Sequence, residues 1–160
     1  MPVLLRLLLI SVAWAAIQVL TGFVTHHLPR RFFERDSPLY RIRRWETGGT
    51  VYERLFRIRR WKDRLPEAGA LFEGGVSKRN LASRSPEGLR LRVAETRRAE
   101  LTHWLAVVLS LSFFAWNPPT IAVWMPIIGF VANAPFILVQ RYVRPRLIAL
   151  LERGRRDGPH

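Results

Sequence analysis

Apolar and charged positions are segregated along this chain into long blocks. Val3–Val24 is apolar apart from Arg6 and a few uncharged polar residues. Its 22 residues make about 33 Å of helix, enough to cross a hydrocarbon core of about 30 Å. A cleaved signal peptide is the rival reading. This segment has no basic leading region, and no small-x-small site precedes His26-His27-Leu28-Pro29, so a retained anchor is expected. The second apolar block, Leu101–Val139, is interrupted at Asn117-Pro118-Pro119-Thr120, a strong turn signal. Its halves, Leu101–Trp116 and Ile121–Val139, predict a helical hairpin. The first half is short and gains length from helix continuing back through 95–100. Pro126 and Pro135 predict kinks in the second half, which membrane helices tolerate.

The polar stretch between the blocks has its own pattern. Thr50-Val51-Tyr52-Glu53 reads as a capping box and Pro66 as a stop, so one helix is expected between them. On it Val51, Tyr52, Leu55, Phe56, Ile58, Trp61 and Leu65 cover one broad face at about 100° per residue. Arg59 and Lys62 project into that face. Two readings fit them: snorkelling to lipid phosphate, or binding an anionic group of a substrate. Residues 67–86 are rich in Gly and Ser and read as a mobile loop, with no phosphate-binding fingerprint. Ser85-Pro86 starts a helix that runs into the second apolar block.

Charge orients these elements. Nineteen Lys/Arg lie between His26 and Glu100 and six follow Val139, whereas the Asn117–Thr120 turn has none and the amino end only Arg6. The positive-inside rule then places the amino terminus outside and the large basic segment and carboxyl end in the cytoplasm. The expected fold is an all-α integral membrane protein of about three spans in the cell membrane, N-out and C-in. Its parts are a first span over 1–25, a basic interfacial segment over 26–94, spans over 95–117 and 120–143, and a basic tail over 144–160. A re-entrant hairpin over 101–139 would give the same charge pattern.

Composition narrows the class. In 160 residues, a hydrophobic fraction of 49% coexists with a net charge of +14; an ordinary soluble enzyme and a disordered tail are both excluded. The chain has no cysteine, which removes disulfides, thiolate nucleophiles and Cys-based metal sites. Arg41-Ile42-Arg43-Arg44-Trp45 and Arg57-Ile58-Arg59-Arg60-Trp61 form a near-repeat of basic and aromatic residues. Beside membrane spans it reads as a lipid interface and not as a nucleic-acid surface.

Ionisable residues inside a span are functional candidates. His103 lies in the apolar run, with Glu100 at i−3, and Glu95 and Arg98 form a similar pair just before it. Three readings fit: a His–Glu general base, a metal site, or an ion-pair network seating the helix. A di-iron bundle needs two Glu-x-x-His motifs plus further carboxylates, and one copy is present, so no metal is expected. Asn133, Gln140 and Arg144 fall within about 20° of one face of the last span. That stripe reads equally as interhelical glue or as the lining of a headgroup-accessible pocket.

Together these blocks resemble the glycosyl-4,4'-diaponeurosporenoate acyltransferase family, which completes staphyloxanthin-type carotenoid glycolipids. The resemblance rests on Glu46 with its following glycines, Arg59-Arg60-Trp61-Lys62 before Leu65-Pro66, Glu95-Thr96-Arg97-Arg98-Ala99-Glu100-Leu101 with His103-Trp104, Asn133-x-Pro135, and Val139-Gln140-Arg141-Tyr142-x-Arg144-Pro145-Arg146-Leu147. It implies transfer of a fatty acyl group from a thioester donor, such as acyl-CoA, to a sugar hydroxyl of a membrane glycolipid, with no other cofactor. No His-x4-Asp motif and no Gly-x-Ser-x-Gly elbow is present, so direct attack by the acceptor hydroxyl is the simpler route. On that reading His103 is the base, and Glu100, or Glu95 through a water, orients it. Arg98, Arg141 and Arg144 bind anionic donor groups or the developing oxyanion, and Asn133 and Gln140 hold the sugar. The alternative is a non-enzymatic basic scaffold that binds anionic lipid or a partner membrane enzyme. Three short spans bury little area, so self-association or a partner biosynthetic enzyme is expected.

Overall fold

A computed structural model describes residues 2–35, 37–65 and 85–156. Among them the chain is helical, without strands. α1 spans Val3–His27, α2 Arg30–Glu34, α3 Thr50–Phe56, α4 Pro86–Leu109, α5 Pro119–Ala122 and α6 Trp124–Arg156, with a 3-10 turn at Arg44–Gly49 before α3. The predicted loop at 67–86 lies almost wholly outside the described residues.

α4 starts where the sequence expects. Pro86 occupies the first helical position, and the Ser85 hydroxyl accepts a hydrogen bond from the Gly88 N–H at 3.1 Å. The long axis of the fold is α4 packed along α6, with α1 against α4 on one side. Ile17, Ala106, Phe113 and Met125 form the apolar core shared by α1, α4 and α6, with Trp14 and Ile121 against it. Near the other end Leu89 and Val93 of α4 meet Leu147 of α6. The outer faces of α1 and α6 expose Leu4, Leu8, Val19, Trp124, Ile128 and Val131. Water does not favour apolar surface on that scale. Two helical stretches, Val3–His27 and Pro119–Arg156, are long and apolar enough to cross a membrane.

Of the three expected spans, the one over 95–117 is not among those two stretches. Its first turns carry Glu95, Arg97, Arg98 and Glu100, and the α-helix ends at Leu109, followed by a 3-10 stretch over Ser110–Ala115. Across the boundary expected at 144, α6 continues without a break to Arg156, where Leu147 and its neighbours pack on α4. Pro126 lies in its first turn, where a missing N–H costs little, and Pro135 and Pro145 sit inside one continuous helix.

The single helix expected over 50–65 breaks at Arg57, which adopts a left-handed conformation (φ 48°, ψ 46°), and 3-10 turns follow at Ile58–Arg60 and Lys62–Arg64. On an unbroken helix Ile58 would point about 120° away from Tyr52. The break swings both into one cluster with Val139 and Tyr142 of α6, where Ile58 is fully buried. The capping box does not form. Glu53 instead accepts a hydrogen bond from the Arg59 N–H at 3.1 Å and secures the break.

Candidate functional site

The seam between α4 and α6 is polar over several turns, and it has two parts. The first is a buried ion cluster. Glu100 is fully buried; its Oε1 accepts from Arg141 Nε at 2.7 Å and from Trp104 Nε1 at 3.4 Å, and its Oε2 accepts from Arg144 Nη2 at 2.5 Å. Arg141 also donates to Glu46 Oε1 at 2.8 Å and to the Leu39 carbonyl at 2.7 Å. Arg144 is 1% exposed. Its remaining donors go to Thr96 Oγ1 at 3.0 Å, the Thr96 carbonyl at 3.1 Å and the Tyr40 carbonyl at 3.1 Å. Two carboxylates and two guanidiniums thus neutralise one another, and their hydrogen-bonding capacity is largely spent within the chain. Burial, then the Glu46 carboxylate, push the neighbouring Tyr52 phenol up to about 12. Burial and Glu100 raise Tyr40 as well.

The turn that delivers Glu46 depends on glycine. Thr47, Gly48 and Gly49 all have positive φ, and a Cβ on Gly49 would lie 3.0 Å from the Tyr142 carbonyl of α6. Only a glycine lets this turn approach α6 closely enough for Glu46 to reach Arg141.

The second part centres on His103. Its Nδ1 lies 2.8 Å from Asn133 Oδ1, and its ring stacks on Phe136 with centroids 4.6 Å apart. Asn133 is 1% exposed, and its Nδ2 donates to the Gly129 carbonyl at 2.8 Å. That bond leaves Oδ1 facing the imidazole, and an amide oxygen only accepts. The network therefore assigns the hydrogen to Nδ1 and the lone pair to Nε2. Gln18 of α1 donates to the same Oδ1 at 3.5 Å. An imidazole held by one nitrogen, with the other unprotonated, is equipped to take a proton.

The remaining sequence candidates separate. Glu100 does not orient His103, because its oxygens serve Arg141, Arg144 and Trp104; Asn133 occupies Nδ1 instead. Glu95 accepts from Arg98 Nε at 3.3 Å. Arg98 Nη1 closes the end of α1, donating to the Thr25 and His26 carbonyls at 2.7 Å each. It satisfies helix carbonyls that would otherwise lack donors. Arg141 and Arg144 belong to the ion cluster. Asn133 binds His103, while Gln140, half-buried on the same helix, makes no side-chain hydrogen bond to a described residue. Arg59 is exposed, and Lys62 pairs with Asp63 at 2.5 Å. No single helix face carries both into an apolar surface, because the helix that would have done so is broken.

Three participants were given no role from sequence. Glu46 and its following glycines carried only the family resemblance. Gln18 is an amide in an otherwise apolar span, which was a signal. Arg97, whose Nη1 donates to the Phe33, Glu34 and Arg35 carbonyls at 2.9, 3.0 and 3.2 Å, stood only within a block of that resemblance.

Comparison with known proteins adds the chemistry. A sequence model of the glycosyl-4,4'-diaponeurosporenoate acyltransferase family matches residues 29–153. The chain belongs to that family. It is 34% identical over 138 residues to the glycosyl-4,4'-diaponeurosporenoate acyltransferase of Staphylococcus haemolyticus strain JCSC1435, a match covering 86% of this chain and 80% of that protein. It is 28% identical over 148 residues to the enzyme of the same name from Staphylococcus aureus strain Newman, covering 92% and 89%. No solved structure matches the chain. Membership makes this protein an acyltransferase, and the scaffold reading gives way. The family model's match over 29–153 includes both parts of the α4–α6 seam and begins after Gln18.

Proposed function

We propose that this protein is a membrane-embedded O-acyltransferase that moves a fatty acyl group from a thioester, such as acyl-CoA, to a sugar hydroxyl of a glycolipid. The acceptor is of the carotenoid-glycoside type named for its relatives. The observation that carries the reading is the His103–Asn133 pair, which leaves Nε2 of a half-buried imidazole available as a base. Nε2 takes the proton of the acceptor hydroxyl as its oxygen attacks the thioester carbonyl carbon. The tetrahedral intermediate collapses with cleavage of the carbon–sulfur bond, and the imidazolium returns its proton to the leaving thiolate. Gln140, on the same helix and without a partner among the described residues, is available to bind the sugar.

In this proposal the apolar outer faces of α1 and α6 meet lipid. α4 and the Ser110–Ala115 stretch complete a third, shorter membrane segment. The basic segment lies on the cytoplasmic side, where a water-soluble thioester is delivered. The test is His103→Gln in the purified full-length protein, assayed with a radiolabelled acyl thioester and the glycolipid. A fall in kcat of about a hundredfold or more is expected, with the thermal transition little changed. Near-normal turnover by a folded His103→Gln protein would sink the assignment.

A further inference from the structure

A groove opens on the lipid-facing side of the molecule between α1 and α6, lined by Trp14, Ala15, Gln18, Ile128 and Ala132, with a volume of about 300 Å³. Four of these five residues are apolar. The exception, Gln18, donates to the Asn133 oxygen that also holds His103. The polar end of the groove is therefore one residue away from the imidazole. Its walls are low because Ala15 and Ala132 are small. At the far end Trp14 packs at a tilt against Phe113 with centroids 5.3 Å apart and lies over Gly129, where a Cβ would come within 2.7 Å of the indole.

We propose that this groove seats the part of the donor's acyl chain nearest its carbonyl, and that Ala15, Ala132 and Trp14 set which chains the enzyme accepts. The inference rests on the acyl-transfer reading above. The occupant follows from connectivity. In an acyl thioester the alkyl chain begins at the reacting carbonyl carbon, so the chain that leads away from a carbonyl at His103 starts within a few ångströms of this groove, whose Gln18 end is joined to the imidazole through Asn133. In the glycolipid acceptor a sugar separates the reacting hydroxyl from the hydrophobic tail, so that tail starts farther off. The size agrees. A cavity of about 150 Å³ takes up benzene, so this groove holds several methylenes but not a whole fatty chain. Being open to the bilayer, it admits the chain sideways.

Two measurements test the proposal on the full-length protein in detergent. In the first, kcat/KM is compared for palmitoyl-CoA and acetyl-CoA, whose single methyl does not reach along the groove. Ala132→Leu and Ala15→Leu, both at exposed positions, should each lower the palmitoyl-to-acetyl ratio about tenfold or more. Equal losses on both donors overturn the proposal. In the second, a palmitoyl-CoA analogue with a photoreactive diazirine on its proximal methylenes is bound to the His103→Gln protein and the adduct is mapped. Labelling within 14–18 or 128–132 supports the groove, and labelling confined to other segments overturns it. Labelling in the groove of a wild-type protein that transfers no acyl group would leave the groove standing and overturn the acyl-CoA reading of function.

Discussion

The two parts of the α4–α6 seam use the same kinds of residue for opposite ends. Around Glu100, charge is abundant and nothing is left over: each oxygen and most donors have a partner inside the chain. Around His103, charge is absent and one nitrogen is left over. A saturated ion cluster holds helices in register and has little capacity to bind a substrate anion without being taken apart. A partly satisfied imidazole does little for stability and can exchange a proton. On the proposed function, the density of charge is a poor guide to where chemistry occurs, and unspent hydrogen-bonding capacity is the better one.

Breaking the cluster should have the largest effect. Glu100→Ala leaves Arg141 and Arg144 without their shared carboxylate and should cost about 3–5 kcal/mol, read as a collapse of the folded yield and of the thermal transition in detergent. Retention of a normal transition would show that the cluster is not what holds α4 to α6. His103→Gln should do the reverse, with kcat reduced by about a hundredfold or more and little change in melting. The contrast between these two variants, and not either alone, sharpens the division. Asn133→Ala lies between them: it frees Nδ1 and strands His103 without its orienting partner. It should lower kcat by about tenfold and cost about 1–2 kcal/mol, measured by turnover and thermal unfolding of the same preparation. The smallest effect belongs to Arg59→Ala. The residue is exposed on a 3-10 turn, and its loss should change stability by no more than about 0.5 kcal/mol. A large rise in the KM for the thioester would return this side chain to the substrate-binding set.

The sequence alone was informative where one physical requirement acts over many neighbouring residues. The apolar length of Val3–Val24, the Asn117–Thr120 turn, the Ser85-Pro86 helix start and the motif blocks of the family are all local. Each appears in the structure or in the family match. Which polar residue would meet which was not local. Glu100 and His103 are neighbours at i and i+3, which made them look like a pair. Yet the first turned to arginines 41 and 44 residues away and the second to an asparagine 30 away. A buried carboxylate gains more from two guanidiniums than from a neutral imidazole, and only the packing of α6 along α4 brings them within reach. The same holds for the break at Arg57, which local pattern argued against. Helix propensity over 50–65 is worth tenths of a kcal/mol per residue, while burying Ile58 against α6 is worth about 1.5–3 kcal/mol. The chain's long apolar stretches, its helices and its family were determined by the sequence. The division of its polar seam into a closed ion cluster and an imidazole with one nitrogen unspent was decided by the tertiary structure, because partners distant in the chain set the hydrogen bonding of these buried polar groups.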